Sequence, residues 1–464
     1  MTIHPNLNGE LGAADPVRLF SAPVPRYTSY PTAPHFHDGA HGGVDAAAYR
    51  GWLGEIGPDT PVSAYVHVPF CDRLCWFCGC HTKQTLRYDP VQRYLQVLHR
   101  EVELVGEAAG KPLKLSELHL GGGSPSMLRA HDLAALGETL RRHFDFTPDA
   151  RISVEIDPND VTADTVEGFK ALGMNRASIG VQDFDPRVQE TINRIQTFED
   201  TRRVVEMLRE AGIASMNIDA LYGLPHQSLE SLEKTIEQVI SLNPDRIALF
   251  GYAHVPWMKT HQRMIEETSL PDIDARYAQA RLAEQKLRDA GYVAIGIDHF
   301  ARPEDSLARA ADEGRLRRNF QGYTDDPCEV LIGLGASSIG RLPQGYVQNI
   351  AATGNYMATV ERGELPVAKG IVLSEDDSMR ARVIEWLMCE FAFSAARLRE
   401  AFGAMAETII EEADARVAAD THGFFRKQCE RYVITPEGQP FARTIASWFD
   451  AYLGRGKARH SSGV

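Results

Sequence analysis

The ten residues Cys71-Asp-Arg-Leu-Cys75-Trp-Phe-Cys78-Gly-Cys80 contain four of the seven cysteines in this 464-residue chain. Such a density of thiols indicates a metal site rather than hydrophobic packing. Thiols separated by three and then by two residues can ligate three irons of an iron–sulfur cube, which leaves the fourth iron open to a ligand that is not protein. The stretch therefore predicts a [4Fe-4S] cluster held by Cys71, Cys75 and Cys78.

Two alternative metal sites remain open on spacing alone. A zinc site would use Cys75, Cys78, Cys80 and His81. Structural zinc sites usually pair two separated doublets of Cys or His, and no second doublet follows in the sequence. A closed electron-transfer cluster would use all four cysteines, but the single residue between Cys78 and Cys80 strains their ligation of separate irons.

Short β-branched runs alternate with helical patterns between Val62 and about Ile339. The predicted strands are Val62–Val68, Glu117–Leu120, Ile152–Ile156, Ala177–Val181, Met216–Leu221, Arg246–Phe250 and Tyr292–Ile297. Repeated alternation of strand and helix predicts parallel βα units. Periodicity does not decide whether such a sheet closes into a barrel.

Polar or small residues follow the predicted strands directly, at what we call the carboxyl rim, the edge formed by the carboxyl ends of the strands. They are Gly121-Gly-Gly-Ser124 after the second strand, Glu155 and Asp157 at the end of the third, Gln182 after the fourth, Asp219 at the fifth and Ala253-His254 after the sixth. Enzymes built from βα units place their sites at this edge. The sequence therefore predicts that these residues share one site.

The motif C-x3-C-x2-C after an apolar strand resembles the radical S-adenosylmethionine (SAM) superfamily, in which three cysteines hold the cluster and SAM occupies the fourth iron. Three longer segments are similar to the family of oxygen-independent coproporphyrinogen III oxidases, namely Pro25–Thr32, Tyr65–Cys80 and Arg318–Thr324. The similarity runs from about residue 25 into the C-terminal region. It implies an α/β fold, a partial (β/α)6-type radical SAM barrel with a mostly helical C-terminal domain.

The resemblance also implies roles for individual residues. The cluster-bound SAM would contact Tyr65, Phe77, Gly122, Gly123, Ser124, Glu155 and Ile339. A second SAM would contact Gln182, Arg194, Asp219 and Ala253, so two SAM molecules per chain are expected. Cys80 matches a cysteine that lies near the cluster without ligating it. The family commonly has threonine where this chain has Ser124, which keeps the hydroxyl. No catalytic residue is assigned beyond the cluster and SAM sites.

Several of these residues have simpler interpretations, which stay open. Glu155 can be a solvated carboxylate at a strand end, because glutamate is mostly exposed in proteins. Arg194 can belong to a surface salt bridge. Tyr65 and Ile339 would be buried in strands whether or not they contact a cofactor.

The activity implied by the resemblance is the conversion of coproporphyrinogen III to protoporphyrinogen IX in anaerobic haem biosynthesis. A 5′-deoxyadenosyl radical from SAM would start the oxidative decarboxylation of two propionate side chains to vinyl groups. The alternative is a haem-binding chaperone of the same lineage. Those relatives characteristically lack a cysteine matching Cys80 and the segment Pro25–Thr32, and this chain has both. A pure electron carrier is a third alternative.

A tetrapyrrole with four propionates needs cations close to its site, because the net charge of −14 would otherwise repel it. The candidate cations are Arg26, Lys259, Arg302, Arg317 and Arg318. The reaction also needs an electron donor and an electron acceptor, neither of which the sequence identifies.

The overall composition indicates which partners and which cellular compartment to expect. The acidic balance argues against nucleic acid as the main partner. No apolar run approaches the ~18 residues of a membrane span, and the N-terminus lacks the pattern of a secretory signal. An odd, clustered set of cysteines is typical of a reducing compartment. We therefore expect a monomer in the cytoplasm.

The chain divides into three predicted regions. Residues 1–44 form an N-terminal arm, residues 45–364 the partial barrel, and residues 365–464 the mostly helical C-terminal domain. Residues 1 to about 24 show no periodicity, and we expect them to be mobile. The C-terminal domain is predicted to contain one short strand near Tyr432–Ile434 and to open with a capping box at Ser374 and Asp377.

Overall fold

A parallel sheet forms the middle of the molecule. The computed structural model describes Val17, residues 23–213 and residues 215–454. The strands, paired with one another in chain order, are β1 (Pro61–Val68), β2 (Leu113–Gly122), β3 (Phe144–Ile156), β4 (Arg176–Gln182), β5 (Ser215–Tyr222) and β6 (Arg246–Gly251). All these pairs are parallel, so the strands end at one common edge, the predicted carboxyl rim.

Helices connect the strands and cover the outer face of the sheet. In chain order they are α1 (Ala46–Glu55), α2 (Asp89–Ala109), α3 (Ala130–His143), α4 (Ala163–Leu172), α5 (Pro186–Thr191), α6 (Phe198–Glu210), α7 (Leu229–Ser241), α8 (Ile273–Asp289), α9 (Ser306–Asp312) and α10 (Thr353–Glu361). Apolar residues on the helix faces join those of the strands in one hydrophobic core. This core fixes the rim residues on rigid elements.

Shorter strands follow β6 in the chain. They are β7 (Val293–Ile295), β8 (His299–Ala301), β9 (Arg317–Asn319), β10 (Gly322–Thr324), β11 (Val330–Leu334), β12 (Ile339–Leu342), β13 (Gly345–Asn349) and β14 (Val367–Val372). β9 and β10 form a separate hairpin, and the other six strands extend the sheet on both sides. β11 pairs with β1 in parallel, and β8 pairs with β6 in the antiparallel sense. The two ends of the sheet do not pair with each other, so the barrel is partial, as predicted.

The last predicted βα strand differs from the observed one. Tyr292–Ile297 was expected to continue the parallel series, but β7 pairs only with β8, which lies between β7 and β6. The neighbour of β1 on its far side is β11 instead. Val330–Leu334 is a continuous apolar run, which periodicity alone does not distinguish from a segment of a buried helix.

Charged side chains fill the amino end of the barrel. Asp325 lies among three arginines, Arg151 within β3 and Arg176 and Arg246 at the starts of β4 and β6. Burial alone would raise the pKa of Asp325, but the surrounding guanidinium groups hold it well below its usual range. The ion network plugs the amino end, which leaves the carboxyl rim as the accessible end of the barrel.

The C-terminal domain is mostly helical, as predicted, but its sheet has more strands than expected. Its helices are α11 (Glu375–Cys389), α12 (Ala395–Phe402), α13 (Ala406–Ala419) and α14 (Ala442–Ala446), and its strands are β15 (Ala392–Ser394), β16 (Phe425–Gln428) and β17 (Arg431–Ile434). β14 continues the main sheet, so we place the start of this domain at Ser374 rather than at residue 365. The capping box of Ser374 and Asp377 begins α11.

The described part of the N-terminal arm is fastened to the C-terminal domain. Tyr27 and Tyr30 belong to the hydrophobic core of that domain. The Tyr27 hydroxyl donates to Asp450 at 3.0 Å, and the Ala451 N–H donates to the Tyr30 hydroxyl at 2.9 Å. Residues 1–16 and 18–22, all within the segment that is expected to be mobile, lie outside the described residues. We name residues 24–30 the N-terminal strap.

No helix in the described residues is both long enough and apolar enough to cross a membrane.

A buried carboxylate joins four parts of the barrel wall. Glu101 on α2 accepts hydrogen bonds from the Gly335 N–H, the Asn349 amide and the Tyr356 hydroxyl, each at 2.6 Å. These partners lie in the turn between β11 and β12, on β13 and on α10. Burial raises the pKa of Glu101 to about 7, despite the three hydrogen bonds that favour the charged form.

We predict that Glu101 makes the barrel less stable as the pH rises. Its pKa in the unfolded chain is about 4.5, so the folded state binds the proton more tightly, and the free energy of unfolding falls between about pH 4.5 and about pH 7. The shift corresponds to about 3 kcal/mol. Urea unfolding followed by tryptophan fluorescence should show a shallower pH dependence in Glu101→Gln than in the unchanged protein.

Glu103→Gln is the matched control, since Glu103 lies on the same helix and is partly exposed beside Arg100. This variant should keep the pH dependence of the unchanged protein. An equal pH dependence in Glu101→Gln and Glu103→Gln would contradict the assignment.

Candidate cluster and cofactor site

The cysteine motif occupies the loop that leaves β1 at the carboxyl rim. Phe70 and Cys71 pair in parallel with Lys83 and Gln84, which closes the base of the loop. The loop is therefore held at both ends, and the four cysteines between them project over the mouth of the barrel.

Side chains that follow β6 clamp the cysteine loop from one side. Three of them donate to backbone carbonyls of the loop: Lys259 Nζ to Cys80 O at 3.0 Å, His261 Nε2 to Cys78 O at 2.7 Å and Gln262 Nε2 to Phe77 O at 2.9 Å. We call Lys259, His261 and Gln262 the loop clamp. Because it binds carbonyl groups, it fixes the backbone of the loop and leaves the thiols available.

The turn after α5 holds the loop from the opposite side. Asn193 Nδ2 donates to Leu74 O at 2.9 Å, and the Trp76 N–H donates to Ile192 O at 2.9 Å. Asn193 has a positive φ of 54°, a conformation that asparagine tolerates better than most residues. The cysteine loop is thus fixed between two distant parts of the chain.

Each predicted cluster ligand has a different polar neighbour. Cys71 Sγ lies 3.1 Å from the Thr82 hydroxyl, and Arg194 Nη1 donates to Cys75 Sγ at 3.6 Å. The Cys80 N–H donates to Cys78 Sγ at 3.3 Å. Burial raises the pKa of Cys71 to about 12 and also raises that of Cys75. Hydrogen bonding from Cys80 lowers the pKa of Cys78.

The chemistry of the donors fits an iron–sulfur cluster, whose irons are held by cysteine thiolates. Three thiols on one clamped loop, with the cation of Arg194 beside Cys75, fit the donor set and the negative charge of such a cluster.

The glycine segment packs against the base of the cysteine loop. Gly122 has a φ of 107°, which favours glycine, and a Cβ on Gly123 would lie only 2.3 Å from the Phe70 carbonyl oxygen. The Gly123 N–H donates to Val68 O at 2.8 Å. The glycines therefore allow β2 to approach the start of the loop. The Ser124 hydroxyl donates to Asp160 and lies 2.9 Å from the Ser126 hydroxyl.

Two rim carboxylates lie inside the barrel close enough to influence each other. Glu155 accepts from the Gly122 N–H at 3.0 Å and lies 3.1 Å from His119 Nε2. Burial would raise the pKa of Glu155, but these contacts hold it below its usual value. Burial and the charge of Glu155 raise the pKa of Asp219 to about 6. Both groups are thus available as hydrogen-bond acceptors for a cationic or hydroxyl-bearing ligand.

Arg194 is buried and is not part of a surface salt bridge. Its Nη1 lies 3.0 Å from Asp157 Oδ2, and its Nη2 donates to Gly180 O at 2.7 Å. The Nε group has no hydrogen-bond partner in the described part of the chain. Arg194 therefore links a cluster cysteine to the rim between β3 and β4.

The other predicted residues also lie at the rim. Gln182 ends β4 with a positive φ of 68°, and Ala253 follows β6 and accepts from Gln262 through its carbonyl. Tyr65 on β1 pairs with Gly333, whose neighbour across the sheet is Ile339. Phe77 contributes its carbonyl to the loop clamp. The structure thus brings all predicted residues to one end of the barrel.

Sequence reasoning missed several residues that shape this site. Among them are Asn193, His261 and Gln262, which hold the cysteine loop, and His119, which bonds to Glu155. Their contacts join residues that lie 36 to 185 positions apart, so no local pattern in the sequence reports them.

Known proteins resemble this chain along nearly its full length. A profile of the Radical SAM superfamily matches residues 65–239. The oxygen-independent coproporphyrinogen III oxidase of Bradyrhizobium diazoefficiens is 47% identical over 441 residues, covering 95% of this chain and 97% of the relative. The enzyme of the same name from Paracoccus denitrificans is 46% identical over 94% of this chain and 95% of its own length.

A solved structure agrees with these relatives. Coproporphyrinogen III oxidase from Escherichia coli, described as a radical SAM enzyme, matches the fold with a TM-score of 0.87 and 36% identity. The match covers 92% of this chain and 98% of that one. The chain belongs to the oxygen-independent coproporphyrinogen III oxidases of the radical SAM superfamily.

Proposed function

We propose that this protein oxidatively decarboxylates two propionates of coproporphyrinogen III to vinyl groups, giving protoporphyrinogen IX without molecular oxygen. The observation that supports this most directly is the clamped loop of three thiols at the mouth of a partial barrel, in a chain whose full-length relatives carry the oxidase name. The same relatives give no support to a haem-binding chaperone.

Cys71, Cys75 and Cys78 would hold the [4Fe-4S] cluster. When bound, the cluster and SAM supply one electron and a 5′-deoxyadenosyl radical, which is chemistry of the cofactors themselves. The residues of the chain hold the thiols in place and supply a positive charge beside the cluster. The loop clamp keeps the three thiols in place, and Arg194 lies beside Cys75 as a compensating cation.

The first SAM would lie between the cysteine loop and the glycine segment. The backbone of Gly122 and Gly123 can approach it closely, and Glu155 offers carboxylate oxygens to its amino group. Because the Ser124 hydroxyl is bonded to Asp160, we expect Ser124 to act through its backbone. Tyr65, Phe77 and Ile339 would line the same space.

A second SAM would lie deeper in the barrel, beside Gln182, Arg194, Asp219 and Ala253. Asp219 supports this proposal, because a carboxylate buried inside the barrel next to Glu155 is expensive without a compensating ligand. The Asn217 amide at 2.7 Å and the Ser178 hydroxyl at 3.3 Å offset part of that cost.

The remaining partners follow from the reaction. It needs an external electron donor and an electron acceptor, and we propose that the protein works as a monomer in the cytoplasm. All seven cysteines are described and none forms a disulfide bond, which agrees with a reducing compartment.

We predict that the four cysteines of the loop differ in function. Cys71→Ser, Cys75→Ser and Cys78→Ser should each abolish the iron–sulfur absorption of anaerobically reconstituted protein, because each removes one thiolate from a site without a spare ligand. Cys80→Ser is the matched control and should retain the cluster, since Cys80 contacts Cys78 through its backbone N–H.

Iron content and visible absorption would decide between the alternatives. A full cluster in any of the first three variants would contradict the ligand assignment. Loss of iron in Cys80→Ser would instead favour the four-thiolate electron carrier.

We predict that Asp219→Ala weakens the binding of one SAM and leaves the cluster intact. The change removes hydrogen-bond acceptors, which should cost ~1–3 kcal/mol, or about five- to 150-fold in affinity. Equilibrium dialysis with anaerobic, cluster-loaded protein should show two SAM per chain before the change and one weakened site after it.

Asp274→Ala on the exposed face of α8 is the control for the lost negative charge. One SAM per chain in the unchanged protein, at saturating ligand, would mean that the second group of residues serves the substrate or the fold.

A further inference from the structure

A cavity of about 370 Å³ lies where the N-terminal strap, the barrel and the C-terminal domain meet. Its polar lining includes Arg26 from the strap, Asp298, Arg318 on β9 and Arg443 on α14. Tyr222 and Gly251, the last residues of β5 and β6, also line it. The cavity therefore reaches the carboxyl rim, three residues beyond Asp219 and two residues before Ala253.

Positive charge exceeds negative charge in this cavity. Arg26, Arg318 and Arg443 face a single nearby carboxylate, Asp298, whose Oδ2 lies 3.9 Å from Arg318 Nη2. The other acidic residue of the lining, Glu284, is bonded to arginines of its own helix. Burial, and then repulsion by Arg26 and Arg318, lowers the pKa of Arg443 to about 9.

Arg318 carries hydrogen-bond donors that the described residues do not satisfy. The residue is 91% buried, and its Nε and Nη1 groups have no partner there. Its Nη2 lies 3.4 Å from the Arg26 carbonyl oxygen and 3.9 Å from Asp298 Oδ2, and its guanidinium lies 4.3 Å from the centre of the Tyr323 ring. Buried donors without an acceptor are costly, so the Nε and Nη1 groups indicate a site for an anion.

Arg317, the residue before Arg318, forms close ion pairs with acidic side chains, unlike the Nε and Nη1 groups of Arg318. Arg317 is bonded to Glu329 and Glu385, each at 2.9 Å. Carboxylates are therefore available on this face, yet none reaches the free donors of Arg318. The other candidate cations are also engaged elsewhere: Lys259 in the loop clamp, and Arg302 with Asn243 near the amino end of β6. Only Arg26 and Arg318, of the five arginines and lysines predicted from sequence, meet in this cavity.

The shape of the lining favours a carboxylate attached to an apolar group. Guanidinium groups bind carboxylates through paired hydrogen bonds. Beside the arginines, the walls contain apolar side chains, among them Phe250, Ile297 and Phe391. No residue of the cysteine loop or the glycine segment lines the cavity. A carboxylate bound here would therefore lie outside the cluster site.

We propose that this cavity binds a propionate of the tetrapyrrole that is not being oxidised, through Arg26, Arg318 and Arg443. The assignment rests on the proposed function and adds the means by which the substrate is oriented. A propionate bound between the strap and the C-terminal domain holds one side of the macrocycle, while another propionate extends over the barrel mouth.

The test compares Arg26→Gln and Arg318→Gln with Arg315→Gln, an exposed arginine paired with Glu313 that controls for the lost charge. Coproporphyrin III fluorescence would measure binding, and carbon dioxide release would measure turnover of coproporphyrinogen III. We expect each cavity variant to raise the dissociation constant and KM about ten- to 100-fold, with Arg315→Gln unchanged. Iron content should be unchanged in all of them.

Arg26→Gln keeps the proposal testable if Arg318→Gln fails to fold, because Arg26 is exposed and bonds only to the Gly251 carbonyl among the contacts described for it. Arg318→Lys should recover part of the affinity, since lysine keeps the positive charge but lacks the paired hydrogen-bond donors of a guanidinium group. An unchanged dissociation constant in both Gln variants would overturn the proposal.

Binding of inorganic phosphate is the measurement that distinguishes a substrate site from a site for free anions. If the cavity variants lose phosphate binding but bind coproporphyrin III as tightly as before, the cavity is a site for free anions and the propionate assignment is wrong. Failure of the unchanged protein to release carbon dioxide from coproporphyrinogen III would contradict the proposed function itself. Normal turnover with an unaltered KM in the cavity variants would contradict only the proposal that the cavity binds a propionate.

Discussion

The placement of the cysteine loop depends on hydrogen bonds to its backbone carbonyls. A loop of ten residues with four thiols has no hydrophobic core of its own, although its Trp76 and Phe77 pack against an apolar cluster of the barrel. Gln262, His261 and Asn193 take up carbonyls that would otherwise face solvent or one another. The thiols are consequently positioned by residues that never contact a metal, and substitution of those residues would disturb the cluster indirectly.

The arginines of the cavity are likewise positioned by contacts outside the cavity itself. The N-terminal strap brings Arg26 to the cavity because its tyrosines are buried in the C-terminal core, and Arg443 donates to the Val24 carbonyl at 3.0 Å. Arg443 thus joins the strap to the C-terminal domain and also compensates the charge of the substrate. A change that loosened the strap would affect stability and substrate affinity together.

Sequence reasoning was most successful where the signal is local. Strands β1 to β6 and the residues directly after them could be predicted, because β-branched runs and turn residues mark each strand end. β11, the insertion of β8 beside β6 and the strand β15 could not, because their pairing depends on partners that are distant in the sequence. Arg318 was recognised only as one cation among five, since its unsatisfied donors are a property of the folded chain.

The plug of arginines around Asp325 determines how ligands reach the barrel interior. With the amino end filled by an ion network, the carboxyl rim is the common entrance for every molecule that binds inside. A tetrapyrrole anchored beside β5 and β6 would cover that entrance. With the substrate anchored there, SAM would have to bind first, and the order of binding would follow from the ion network at the opposite end of the barrel.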